Sequence, residues 1–284
     1  MIFAFIAENR TRLPVKRLCE LLGVSRSGFY AWLRRPISSH RQHDLQLIAA
    51  IEELHQGFKR CYGAPRVHRS LRQAGLSCSR RRINRLMREM GVKASTAGLY
   101  AWRPGQHAFY EAAGNQLKYA SAPSSPGEQW AGDFTYIKTG SGWLYHAIVM
   151  DLYTRKVIGW SFANRRNTEL TMSALRMALR HASPRPGCIF HSDQGIEYAA
   201  YDHRELIESA NLTRSMSRKG TPLDNAIVES FFHTMKGELV HQHRFANNIE
   251  AVAAIIEYIE FYNQERLHSG IGYQAPEEFE QQCA

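Results

Sequence analysis

The sequence predicts an α/β domain with a mixed sheet flanked by helices, preceded by an all-α region of helix-turn-helix character. Three observations carry this. Charge divides the 284-residue chain: residues 1–120 hold 21 Lys/Arg against 7 Asp/Glu, whereas residues 121–284 hold 15 against 19. Turn chemistry, Ala-Pro-Ser-Ser-Pro-Gly, runs up to Gly127 and separates the two parts. Beyond it, β-branched and aromatic runs alternate with helical periodicities in the order β-β-β-α-β-α-β-α.

Leu13 to Arg35 reads as two short helices. Leu18, Leu21 and Leu22 recur at helical spacing, Gly23 breaks the run, and Ser25 can cap a second helix from Arg26 to Leu33. In a helix-turn-helix, Arg26, Ser27, Tyr30 and Arg34 would face DNA while Val24, Phe29 and Trp32 pack inside; plain helical packing explains the same residues. In a second unit, Tyr62 to Gly91, Pro65 starts a helix through Gln73, Gly75 ends it, and Ser77 or Ser79 caps the next. On that next helix Arg80, Arg81, Arg82, Asn84, Arg85 and Arg88 surround a stripe of Ile83, Leu86, Met87 and Met90. Arginines this dense repel one another, so a polyanion such as the DNA backbone is the expected partner.

After the turn-rich segment, Trp130–Ile137, Leu144–Leu152 and Lys156–Phe162 read as three strands of an antiparallel meander. A helix from Thr168 to His181, capped by Asn167 or Thr168, leads to a short strand Cys188–His191. A helix near Asp202–Ser209, a strand Leu212–Met216 and a basic turn with Arg218 and Lys219 precede a helix opened by Pro222.

Composition bounds the function classes. The 44% hydrophobic content suits one substantial core and a smaller one. No stretch approaches the roughly 18 apolar residues of a membrane span, and the opening Met-Ile-Phe-Ala-Phe-Ile-Ala is too short for a signal peptide. The five cysteines are scattered without a Cys-x-x-Cys pair, which suits a reducing, cytoplasmic setting.

Three carboxylates stand out by context. Asp133 lies in an otherwise apolar strand, where an unpartnered charge is costly. Asp193 ends the fourth strand in His-Ser-Asp-Gln-Gly, although an aspartate before Gln-Gly also suits a turn. Glu229 sits mid-helix between Val228 and Phe231-Phe232, sharing a face with Asn225, Phe232 and Lys236. If the first and fourth strands are neighbours, the acids can converge as ligands for Mg²⁺ or Mn²⁺, the ions that serve phosphoryl transfer. Lys236 would then hold a DNA phosphate, or be an ordinary surface lysine.

Trp130-x-x-Asp133-x-Thr135, His191-Ser-Asp-Gln-Gly195, Asp224-Asn-Ala-x-Val-Glu-Ser-Phe-Phe232 with Lys236, Tyr262-Asn-x-x-Arg266-x-His-Ser269 and Gly272-Tyr-x-x-Pro276 together closely resemble the second-frame transposases of the insertion sequence three family. That family shares the DDE catalytic domain of retroviral integrases. The resemblance implies an RNase H-like sheet and Asp133, Asp193 and Glu229 as a triad binding Mg²⁺ or Mn²⁺ as two ions. It implies hydrolysis of one strand at the element's end, then in-line attack by the freed 3′ hydroxyl. Its partners would be terminal repeats and target DNA in a homo-oligomeric synaptic complex in the bacterial cytoplasm, with Asn225, Lys236, Arg218, Lys219 and the second-helix arginines at the DNA.

The expected domains are a helical segment at 1–58, a basic helix-turn-helix-like domain at 59–95, a linker at 96–127 and an integrase-type domain with C-terminal helices at 128–284. Family members usually act as frameshift fusions with a first-frame protein carrying a leucine zipper. This chain begins at Met1 without a heptad zipper, so independent action and action within a fusion are both open. Retroviral integrases carry an amino-terminal zinc domain with a Cys-x-x-Cys; His40, His43, Cys61 and Cys78 offer none, and no structural zinc is expected. The competing readings are a catalytically silent DNA-binding regulator and a non-specific nuclease of the same fold.

Overall fold

Ile6, Leu18, Cys19 and Phe29 are buried together, and removing them from water draws three short helices around one small core. These are α1 (Ile2–Asn9), α2 (Val15–Leu21) and α3 (Arg26–Arg34) in a computed structural model that describes residues 2–35, 38–96, 120–193, 195–217 and 225–283. Gly23 takes the left-handed conformation after α2, and Ser25 Oγ accepts the Gly28 amide at 3.0 Å, as the expected break and cap require. Leu21 and Trp32 depart from the expected inward stripe and are 64% and 37% exposed. The unexpected α1 is the reason, because its Phe3 and Ile6 occupy the interior and Trp32 lies against Phe3 at the rim.

The chain forms two compact units, Met1–Glu52 and Glu53–Ala284. α4 (Ser39–Gly57) also lies outside the expected set; among its apolar residues only Leu47 and Ile51 are buried, too sparse a stripe to stand out in a charged sequence. In the second unit α5 (Ala64–Gln73) and α6 (Arg80–Glu89) pack through Val67, Leu71, Ile83, Leu86 and Met87. Ser79 provides the cap, accepting the Arg82 amide at 3.2 Å.

Tyr62 and Arg66 join this basic helix pair to the far end of the same unit. The Tyr62 hydroxyl accepts the Leu267 amide at 2.9 Å and donates to the Glu265 carbonyl at 3.2 Å, and Arg66 Nε donates to the Leu267 carbonyl at 2.8 Å. Most of the expected 96–127 linker lies outside the described residues.

β1 (Gln129–Thr139), β2 (Gly142–Asp151) and β3 (Val157–Ala163) form the antiparallel meander. β4 (Ile189–Ser192) and β5 (Thr213–Met216) extend it in parallel, giving the order β3-β2-β1-β4-β5. This mixed sheet with flanking helices is the architecture expected from the sequence. β4 pairs with only Gln129–Ala131, so from Gly132 onward that side of β1 has no strand partner among the described residues. Trp130 helps to set where β1 begins, because its indole and the Gly127 amide donate to the buried Asp151 carboxylate at 3.2 and 2.7 Å.

α7 (Thr168–His181), capped by Asn167, covers one face, where its Leu170, Ala174, Leu175 and Ala178 join Ala147 and Val149. Side chains alternate along a strand, so His146 points to the other face, where it meets Phe232 of α10 (Ala226–Glu238). The α10 helix begins after Asn225; Pro222, expected to open it, lies outside the described residues. α8 (Ile196–Ala199) and α9 (Tyr201–Ser209) link β4 to β5, and α11 (Asn248–Gln264) and α12 (Pro276–Gln281) end the chain. Asn263 of α11 bonds to both the amide and the carbonyl of Val157 on the outermost strand.

Gly159 permits close approach of β3 and α7, since a methyl there would run into the Ala174 carbonyl and the Ala178 amide, both backbone. Gly159→Ala is expected to lower stability by about 1–3 kcal/mol or more, read as a lower urea midpoint with an unchanged slope.

Candidate active site

β1 and β4 bring two acids together. Ala131 pairs with His191, so Asp133 and Asp193 each lie two residues past the last paired positions of neighbouring strands, near enough for the Asp193 charge to act on Asp133. Asp133 alternates onto the face that carries α10, the helix that holds Glu229. His191 anchors β4 to β5, its ring nitrogens lying 2.9 Å from Ser215 Oγ and 3.0 Å from Ser217 Oγ. The Phe134 amide donates to Asp133 Oδ1 at 2.8 Å, and the Gly195 amide donates to Asp193 Oδ1 at 2.9 Å. One oxygen of each aspartate is therefore held by backbone.

The electrostatics tie the three acids to one another. Burial is the main cause that pushes the Asp133 carboxyl up to about 7; the charges of Asp193 and Glu229 add to it, while the Phe134 amide and Lys236 oppose. Glu229 is also raised, by burial and then by Asp193. Carboxylates offer the hard oxygen donors that Mg²⁺ and Mn²⁺ prefer, and a divalent cation is the counter-charge that would offset their repulsion. Among the described residues no three His, Cys, Asp or Glu side chains are already gathered as a ligand cluster. Asp133, Asp193 and Glu229 are linked by their charges rather than gathered into a ligand cluster among the described residues.

The other expected site residues have varied surroundings. Asn225 is buried and its Nδ2 donates to the Gly132 carbonyl at 3.1 Å, which fastens the start of α10 to β1 beside Asp133. Lys236 is half-buried; burial lowers its ammonium below the usual value, opposed by Asp133. Its Nζ lies 5.2 Å from the centre of the Tyr136 ring. Arg218 and Lys219 lie outside the described residues.

Arg80, Arg81, Asn84, Arg85 and Arg88 are exposed on α6 and Arg82 partly so, leaving a cationic face around the buried stripe. Arg81→Ala with Arg85→Ala is expected to weaken DNA binding and to flatten log affinity against log salt by about two phosphate contacts, a slope change of roughly 1.8. An unchanged slope in a salt titration would exclude contact there.

Arg166 and Glu197 were not among the expected site residues. Glu197, on α8 just past Asp193, is buried, and Arg166 grips both of its oxygens, with Nη2 2.9 Å from Oε2. Burial alone would raise the Glu197 carboxyl, but the Arg166 hydrogen bonds and charge outweigh it and hold it low. Arg166 also lies 4.9 Å over the Phe134 ring, so one guanidinium links the middle of β1, next to Asp133, to α8 just past Asp193.

Comparison with known proteins accords with this geometry. Integrase core domain families match residues 123–222 and 210–276, and an HTH-like domain family matches residues 42–98. The chain is 39% identical to the insertion element IS600 uncharacterized 31 kDa protein of Shigella sonnei, over 92% of this chain and 97% of that one. It is 37% identical to the transposase InsF for insertion sequence IS3A of Escherichia coli strain K12, over 99% and 98% respectively. Among solved structures, a chain of the simian T-cell lymphotropic virus intasome, in complex with PP2A regulatory subunit B56 gamma, shares the fold. Its TM-score is 0.50 at 18% identity, over 56% of each chain.

Proposed function

The chain belongs to the family of the InsF transposases of insertion sequence IS3, and from that premise we propose that Asp133, Asp193 and Glu229 are its catalytic, metal-binding triad. The protein is a DNA transposase of the integrase-core class. The observation that carries the assignment is the placement of three acids from three elements. β1 bears Asp133, its parallel neighbour β4 leads into Asp193, and α10, bonded at its start to Gly132, brings Glu229. The Asp133 carboxyl, pushed up by burial and by the other two charges, is in support. When bound, Mg²⁺ or Mn²⁺, as two ions, supplies an activated oxygen nucleophile and stabilises the leaving oxygen of an in-line displacement.

The chain's own residues bind and orient. The Phe134 and Gly195 amides fix one oxygen of each aspartate, leaving the other available. Arg166 holds Glu197 on α8, four residues past Asp193. Lys236 meets the phosphodiester next to the scissile bond, and the arginines of α6 hold the duplex farther away by its backbone. Water cuts one strand at each element end, and the freed 3′ hydroxyl then attacks target DNA, with no covalent enzyme intermediate. A homo-oligomer pairs two ends in the cytoplasm, alone or as a fusion with a first-frame protein.

The test is strand transfer on labelled element ends with Mg²⁺, beside arbitrary duplexes of equal length. Cleavage and joining confined to element ends is the expected result. Cutting of arbitrary duplexes without joining would make the protein a non-specific nuclease, and end binding without either reaction would make it a regulator.

A further inference from the structure

Beyond Asp133, β1 carries side chains with no evident role in the core. Tyr136 is 56% exposed and Trp143 of β2 48%, each enough to leave a large part of an aromatic ring in water. Tyr136 pairs with Tyr145 and Lys138 with Trp143, so alternation puts Tyr136, Lys138 and Trp143 on one face. The two rings meet edge to face with centroids 5.3 Å apart. Lys138 is exposed and has no acidic partner among the described residues, and Lys236 sets a second ammonium 5.2 Å from the Tyr136 centroid. Two exposed rings between two lysines form a surface suited to nucleic acid, since a base stacks on the ring while its phosphate meets the cation.

The same Lys236 couples this surface to the triad, because it interacts electrostatically with Asp133. Tyr136 is three residues along β1 from Asp133, about 10 Å or three steps along a DNA strand, and alternation puts it on the opposite face. A strand leaving Asp133 therefore reaches it around the edge of β1 that β4 leaves unpaired beyond Ala131. We propose that Tyr136 and Trp143, flanked by Lys138 and Lys236, form a stacking platform for an unpaired base of the element end, two to four nucleotides from the scissile phosphate. The platform rests on the transposase reading above and adds a reason for the end to open. A base inside a duplex hides both faces, so only a frayed or flipped base can use these rings. A second copy of the chain would want an apolar surface without a flanking pair of like charges.

The experiment uses the full chain and element-end oligonucleotides carrying 2-aminopurine singly at each of the first several positions, with fluorescence and affinity measured together. Wild type is expected to quench the probe at the third position or a neighbour of it. Tyr136→Ala with Trp143→Ala is expected to abolish that quench and to weaken end binding about tenfold, the effect of one lost stacking contact. Tyr136→Phe is expected to keep the quench. Wild-type quench and affinity in the alanine pair would overturn the platform, as would a changed sedimentation coefficient of the DNA-free pair, which would make the surface a contact between copies. Failure of wild type to bind element ends at all would remove the transposase reading and the platform with it.

Discussion

Asp133→Asn is expected to suppress cleavage and joining by ~10³-fold or more while raising the melting temperature of the metal-free protein at pH 8. The two effects have one origin. Wild-type Asp133 is half-buried beside two other acids and ionises only near pH 7, far above the ordinary aspartate value of 3.8. Above about 7 the folded protein carries a charge that burial disfavours, and the amide removes it. Below 3.8 both folded and unfolded chains are protonated, so the stability gain is absent there and grows as pH rises through the interval. Thermal melts with chelator at pH 4 and pH 8 check the sign. A variant that is less stable than wild type at pH 8 would mean that Asp133 is held by partners in the fold rather than strained for metal.

Glu238→Ala is expected to lower stability by about 3–5 kcal/mol, on the order of 10 °C in melting temperature. Glu238 Oε1 accepts Arg266 Nη2 at 2.7 Å, and Oε2 accepts Arg266 Nε at 2.8 Å and the Tyr258 hydroxyl at 2.7 Å. The two side chains are only 1% and 4% exposed, so removing the acid leaves a guanidinium uncompensated in the interior. The pair joins the end of α10 to the segment after α11, next to the Leu267 backbone that Tyr62 and Arg66 hold. Adding Arg266→Ala to Glu238→Ala is expected to cost less than the sum of the two single losses, because no unpaired charge remains. Strict additivity in chemical denaturation would show that the two residues act independently.

Much of the sheet was legible because its pattern is local. Alternation marked β1 to β3, short connections required an antiparallel meander, and Ser25, Ser79 and Asn167 cap the helices that follow them. The acids stood out because a carboxylate in an apolar strand or between Val228 and Phe231 is costly without a purpose. Relations between distant residues were not legible. Arg166 and Glu197 are 31 positions apart and meet only once α7, β4 and α8 are folded. Asn225 shares a helical phase with Glu229 as expected, yet helical phase does not reveal that its amide reaches inward to the Gly132 carbonyl. α1 was hidden for another reason: eight residues are too few to display a period, and it is defined by the core that it completes.

In the proposed mechanism Asp133, Asp193 and Glu229 act as one metal-binding unit in DNA transfer. The most direct measurement is strand transfer by Asp193→Asn on labelled element ends with Mg²⁺, beside wild type at matched end occupancy. End binding is expected to stay intact, with neither the cleaved strand nor the joined product formed. Normal cleavage and joining by Asp193→Asn would contradict that mechanism.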